Sequence, residues 1–389
     1  MLNVVGAFSI VLFILTVGEI VSKKTKAFIP SVFVSAALFL IGFWTILPAD
    51  IVTQSSFSKP VVYLSMYLLL THMGTLMSVK ELLSQWRTVI IALAGIVGII
   101  ALTLTVGRAL FGWQQVVAGT PPLTGGVVAS ILMSTAATEK GLTAIAVLAT
   151  SMYIMQGFFG YPITAVMLKK EARRVVSEYK NSSVNKEEAK VEEEVNKFRI
   201  FPPLKEENQT PYIILLKLGI VAWLATQAAP FLHLNQFIVC LLFGVIGREI
   251  GLLEDRALNK ANAFGWLMTV LMAFIFANLS KATPEMLKEI ALPLFGIIVI
   301  GVAGMAILSM LVGRLLGYSK EMAFSIAMTA LYGFPADYIL TIEAIKSATD
   351  NPEEASYATD IMLPKMLVGG FTTVTIASVV IAGIFVKML

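Results

Sequence analysis

The chain of 389 residues is 57% hydrophobic and only 14% charged, with a mean hydropathy of +0.82; an ordinary soluble domain is roughly 25% charged, so this composition belongs in a bilayer. The formal charge of +4 resides in short loops between apolar runs, which reads as membrane topology and excludes a nucleic-acid footprint. A single cysteine, Cys240, and two histidines, His72 and His233, exclude an internal disulfide and any cysteine- or histidine-rich metal cluster.

A membrane span needs about 20 predominantly apolar residues, and the first run, "VVGAFSIVLFILTVGEIV", meets this at once. Only "KKTK" follows it, with no small-residue cleavage site, so it reads as a true span rather than a signal peptide. Further runs such as "TVIIALAGIVGIIALTLTVG" and "LFGIIVIGVAGMAILSMLVG" make the protein polytopic. Residues 169–210 mix both charge signs without an apolar face and read as a solvated linker that divides the chain near its middle. The expected organisation is a first half (1–168), this linker and a second half (211–389).

The same order of events recurs on both sides of the linker. In the first half a long span ends in "VGRALFGW", the broken stretch "TPPLTGGVVASILMSTAATEKG" follows, and a span containing "GFFGYPITAVML" closes. In the second half a long span ends in "VGRLLGYS", "MTALYGFPADYILTIEAIKS" follows, and a span containing "LVGGFTTVTIASVVIAGIF" closes. Arg108 and Arg314 of the shared Val-Gly-Arg lie 206 residues apart, and "IPSVFVSAALFLIG" similarly parallels "LNQFIVCLLFGVIG". Basic residues gather in cytoplasmic loops, which puts Lys23, Lys24 and Lys26, Lys80 and Arg87, Lys169 to Arg174, Arg248 to Lys260, Arg314 and Lys320, and Lys346 inside. With five crossings per half, the two halves are inverted. The expected fold is all-α and polytopic, with about ten spans in two inverted five-span repeats, each with a re-entrant hairpin, both termini outside and the linker cytoplasmic.

A backbone that leaves helical geometry in hydrocarbon exposes polar groups at several kcal/mol each, so such breaks survive only in protein interiors or water-lined cavities. Pro335 removes a donor and Gly333 permits a tight reversal in "YGFPAD"; Pro121, Pro122, Gly125 and Gly126 do the same in "TPPLTGG". Two hairpin tips meeting near the midplane present free helix ends that suit a small anion and a small cation. Candidate substrate-binding residues are therefore Thr124, Gly125, Gly126, Ser130, Gly333, Pro335 and Asp337, and candidate ion-coupling residues are Asp337, Ser134 and Thr341. Asp337 has two compatible readings, an ion or proton site and a cap placed just before the short helix "YILTIEAIKS". The hydroxyls also have two, as ligands or as groups bonded to their own helix backbone. His72 faces a cavity or bonds a neighbouring carbonyl; Asp360 and Lys365 pair, snorkel or act; Glu19 reads as interfacial, and Glu139 and Lys140 as the outer rim of the first hairpin.

These features resemble the bacterial sodium/glutamate symporter family. "AFIPSVFVSAALFLIG" is similar to its second span, "YLLLTHMGTLMSVKELLSQW" to its third, and "GLTAIAVLATSMYIMQGFFGYPI" to the Gly-rich span after its first hairpin; "GFPADYILTIEAIKSATD" resembles the descent of its second. The family's first hairpin typically reads Gly-Gly-His-Gly-Thr, and here only Gly125 and Gly126 have counterparts, followed by Val127 and Val128; "GFPAD" replaces its glycine-rich Thr-Pro step. The resemblance implies the location of the site, sodium as coupling ion, no other cofactor, and a homodimer in the cell membrane. Glutamate or a related amino acid or carboxylate is the expected solute, moved by alternating access. A proton-coupled exporter and a passive pore are the alternatives. An enzyme is not expected: no nucleophile and base pair up, and no Gly-Lys-Ser/Thr phosphate loop is present.

Overall fold

The computed structural model describes residues 3–76, 80, 85–182, 200–202, 209–232, 234 and 236–389. Most of the charged linker (183–199 and 203–208) and His233 lie outside the described residues. Within them the chain is helical and contains no strand. Among the described residues, six helices are long and apolar enough to cross a membrane: Val4–Lys24, Trp86–Phe111, Thr143–Asn181, Pro211–Leu232, Phe264–Lys281 and Ile290–Leu315.

The helices in chain order are α1 (Val4–Lys24), α2 (Ser31–Thr45), α3 (Ile51–Gln54), α4 (Lys59–Gly74) and α5 (Trp86–Leu102), which continues through a π-helical turn (Thr103–Gly107) into α6 (Arg108–Phe111). Then come α7 (Trp113–Leu123), α8 (Val127–Glu139), α9 (Thr143–Ser182), α10 (Pro211–Leu232), α11 (Gln236–Glu249), α12 (Ala257–Lys260) and α13 (Phe264–Ala277). The last are α14 (Pro284–Leu315), α15 (Lys320–Met328), α16 (Ala336–Ala348), α17 (Pro352–Phe371), a second π-helical turn (Thr372–Ala377) and α18 (Ser378–Phe385).

Two compact units form, each drawing on both sides of the charged stretch: residues 1–8, 52–84 and 185–275, and residues 9–51, 85–184 and 276–389. In the first unit, α4 and α11 approach so closely that a Cβ on Gly74 would strike the backbone of Gly244 and Val245, and one on Gly244 the Thr71 carbonyl. Small residues allow such contact where no hydrophobic force acts between helices. His72 sits fully buried on α4; its Nδ1 accepts the Leu258 N–H at 3.1 Å, and Thr75 Oγ1 accepts that of Ala257 at 3.4 Å. Its Nδ1 thus faces a backbone N–H of α12 and, at 3.3 Å, the Thr75 hydroxyl rather than a carbonyl.

In the second unit α5 crosses α14 with Gly98 against Gly304, each so near the other's carbonyl that neither site admits a Cβ. Gly95 on α5 receives the Ala327 methyl of α15, and Gly301 on α14 receives the Leu123 side chain of α7. Gly95 and Gly301, like Gly98 and Gly304, lie 206 residues apart, the offset of Arg108 and Arg314. α9 runs past the apolar segment to Ser182 because Arg174 binds Glu171 at 2.6 Å and also Glu178, pairs at the three- and four-residue spacings that support a helix. Glu171 also accepts from Ser319 Oγ at 2.6 Å, fixing the N-cap of α15 to α9.

Candidate functional site

The first broken segment is α7 and α8 joined at Thr124–Gly126. Pro121 and Pro122 lie inside the last turn of α7 and withhold their N–H groups, so the helix ends within a few residues. Gly125 and Gly126 then take φ values of 128° and 88°, open to glycine without strain, and α8 begins at once. Thr124 is buried and donates to its own Pro121 carbonyl at 2.8 Å. Thr120 donates to Thr103 Oγ1 at 2.9 Å, fastening α7 to the π-helical turn after α5.

The second broken segment is α15, a 3₁₀ turn (Thr329–Leu331), the irregular Tyr332–Pro335 and α16. Gly333 has φ of 62° and the Phe334–Pro335 peptide is cis. Pro335 occupies the N-cap of α16, so this helix starts earlier than "YILTIEAIKS" suggested and Asp337 stands inside its first turn rather than before it. The side chain of Asp337 is fully buried. Its Oδ1 accepts the Tyr338 N–H at 2.6 Å, while Oδ2 has no protein partner. Gly370 of α17 faces that oxygen; a Cβ there would stand 2.5 Å from Oδ2. Thr341, one turn on and equally buried, donates to the Asp337 carbonyl at 2.6 Å.

The two breaks meet at the second π-helical turn. A Cβ on Gly125 would lie 3.0 Å from Val374 Cα, 3.1 Å from the Thr373 carbonyl and 3.3 Å from the Ala330 carbonyl of the other segment. One on Gly126 would lie 2.8 Å from the Val374 carbonyl, and one on Gly333 2.9 Å from Val374 Cγ2. π-helical turns recur at functional sites because they free backbone carbonyls from the regular ladder. Thr124, Gly125, Gly126, Gly333, Pro335, Asp337 and Thr341 therefore belong to one buried neighbourhood. Ser130 lies farther along α8 and donates across to the Ala149 carbonyl of α9 at 3.0 Å. Ser134 is half-exposed and bonds its own Ile131 carbonyl at 3.1 Å; it does not join the others. Lys365 rests its ammonium over the Tyr318 ring at 5.0 Å.

Sequence reasoning missed the residues that close the neighbourhood from α9, α17 and the second π-helical turn. Tyr332 donates to Thr164 of α9 at 2.9 Å, and a Cβ on Gly160 would strike the Tyr332 ring. The signal was "VGGFTTVT", where paired glycines and three threonines interrupt an apolar span, much as paired glycines and two threonines do in "TPPLTGG".

Buried helix ends, broken apolar segments and six long apolar helices define a multi-pass helical membrane protein. The family model for the sodium/glutamate symporter matches residues 1–335. The chain therefore belongs to the sodium/glutamate symporter family, a family of transporters rather than enzymes, and membership supports a sodium-coupled transporter. No curated protein matches the chain. The matched residues take in all of the first broken segment and stop at Pro335, so Asp337, Thr341 and the second π-helical turn lie beyond them.

Proposed function

We propose that the protein is a sodium-driven secondary transporter of a small anionic metabolite, foremost glutamate or a related amino acid or carboxylate, working by alternating access. The observation that carries this reading is the convergence of two broken helical segments around Val374 beside a buried carboxylate with a free oxygen. A carboxylate left unmatched in an apolar interior is costly, and a sodium ion held by Asp337 Oδ2 and nearby backbone carbonyls removes that cost. The N-termini of α8 and α16 carry positive partial charge and suit the anion. Thr124, Gly125, Gly126, Ser130, Gly333, Pro335 and Asp337 would surround the solute; Asp337 and Thr341 would serve the ion, while Ser134, half-exposed and bonded to its own helix, would take no part.

The architecture in this proposal is ten spans in two inverted halves, 1–168 and 211–389, with re-entrant hairpins at 113–139 and 320–348. The reciprocal packing of Gly98 on Gly304, with Gly95 against Met305 and Gly301 against Ile99 at the same offset of 206 residues, favours it. Basic loops favour both termini outside and the linker inside the cell, with a homodimer as the working unit. The same Oδ2 could instead carry a proton, which makes a proton-coupled exporter the second reading.

The test is uptake of labelled glutamate into proteoliposomes under an inward sodium gradient, with potassium replacing sodium, and with a pH gradient alone. Accumulation only with sodium supports the first reading, and dependence on the pH gradient the second. Folded protein that accumulates glutamate under neither gradient excludes glutamate as its solute.

A further inference from the structure

The stripe of α9 that faces both broken segments contains a polar side chain that the site as described leaves unused. Ala149, Met152, Gln156 and Gly160 recur at three- and four-residue spacings and therefore share one helix face. Ala149 offers its carbonyl to Ser130 of α8, and Met152 packs its terminal methyl toward Gly119 of α7. At the other end Gly160 packs against Leu331 and Tyr332 of the second segment. Gln156 stands between these contacts, 1% exposed, and its Oε1 has no hydrogen-bond partner.

Buried carboxamide oxygens are ordinarily satisfied, and one without a donor needs a reason. Glutamine inside a membrane protein ordinarily bonds across to a neighbouring helix, and this oxygen makes no such bond. The geometry points to Gln156 as a substrate-binding residue whose Oε1 accepts a hydrogen bond from the α-ammonium of an amino-acid solute. This rests on the transport reading and deepens it. The helix N-termini serve the carboxylates, and Gln156 adds the acceptor that separates an amino acid from a simple dicarboxylate. A site built around one such hydrogen bond discriminates because the analogue without the donor leaves the oxygen unpaired.

The experiment uses the full chain in proteoliposomes with L-glutamate as the probe, comparing wild type with Gln156→Met and Gln156→Glu, each checked for a monodisperse profile in detergent. Met keeps the unbranched bulk but offers no comparable acceptor; Glu keeps an acceptor oxygen at the same reach. Gln156→Met is expected to raise KM about tenfold or more with kcat retained, the size of one charge-assisted hydrogen bond, and Gln156→Glu to stay within about threefold of wild type. Unchanged KM in both variants, equal damage in both, or a loss confined to kcat overturns the assignment while leaving the transport reading intact. Wild-type protein that shows no sodium-dependent uptake of glutamate overturns the assignment together with glutamate transport, and does so before any variant is compared.

Discussion

The two broken segments solve one problem with different chemistry. Both interrupt an apolar helical chain in the protein interior, where unsatisfied backbone is costly. The first does it with shape: two glycines at φ of 128° and 88°, two prolines, no charge at the break itself, and the hydroxyls of Thr124 and Ser130 bonded to backbone carbonyls. The second uses a single glycine at 62°, a proline at the N-cap and a buried carboxylate. Shape on one side and charge on the other implies a division of labour. The first segment sets how closely the tips meet, and the second supplies the electrostatics.

Substituting the charge tests that division with the largest expected effect. Removing one partner of a buried charge pair costs about 2–5 kcal/mol, so Asp337→Asn should weaken sodium activation of uptake about 30-fold or more while the protein stays folded. Sodium dependence measured in proteoliposomes decides it; an Asn variant with wild-type sodium response would take the carboxylate out of the mechanism.

The glycines should separate next. Gly125 and Gly126 face backbone atoms of the π-helical turn, which cannot yield, and their dihedrals are strained for any other residue. Gly125→Ala or Gly126→Ala should therefore cost about 1–3 kcal/mol of stability. The atoms nearest a Cβ on Gly333 all belong to the Val374 side chain, at a φ that other residues tolerate more readily. Gly333→Ala should cost less, and Val374→Ala in the same chain should restore most of the loss, whereas it should not rescue Gly126→Ala. Thermal unfolding of the purified single and double variants measures each of these differences.

Reading these segments from sequence worked where covalent chemistry forces the outcome. Pro121 and Pro122 beside Gly125 and Gly126, and Gly333 beside Pro335, cluster proline with glycine, so both breaks were visible without coordinates. The long apolar runs likewise declared themselves by length. What sequence could not supply was the partner of each break. Val374 carries no polar signal, Gly370 matters only because Asp337 Oδ2 lies against it, and Gln156 looks ordinary until its neighbours on α9 are known. The offset of 206 residues was legible at Val-Gly-Arg, yet its packing consequence, Gly98 against Gly304, required the crossing itself. Ser134 shows the reverse case: its residue type suggested a ligand, and helical phase turned it away from the other candidates.

The smallest effects distinguish the two hydroxyls that the sequence suggests for the ion. Thr341 is fully buried one turn beyond Asp337 and already donates to the Asp337 carbonyl, so its oxygen lone pairs stay free for a cation beside the carboxylate. Thr341→Val removes that oxygen at nearly constant volume and breaks no contact between helices. Its stability should stay within about 0.5–1 kcal/mol of wild type, since transmembrane hydrogen bonds average about 0.6 kcal/mol, while the sodium concentration for half-maximal uptake rises a few-fold. Ser134→Ala, on a half-exposed face with a bond to its own helix, should change neither quantity. Equal sodium responses in the two variants would mean that Thr341 only ties off the first turn of α16; a shift in the Ser134 variant alone would mean that α8 rotates toward the second segment during transport. Because both substitutions are nearly silent in folding, the sodium titration alone carries the comparison.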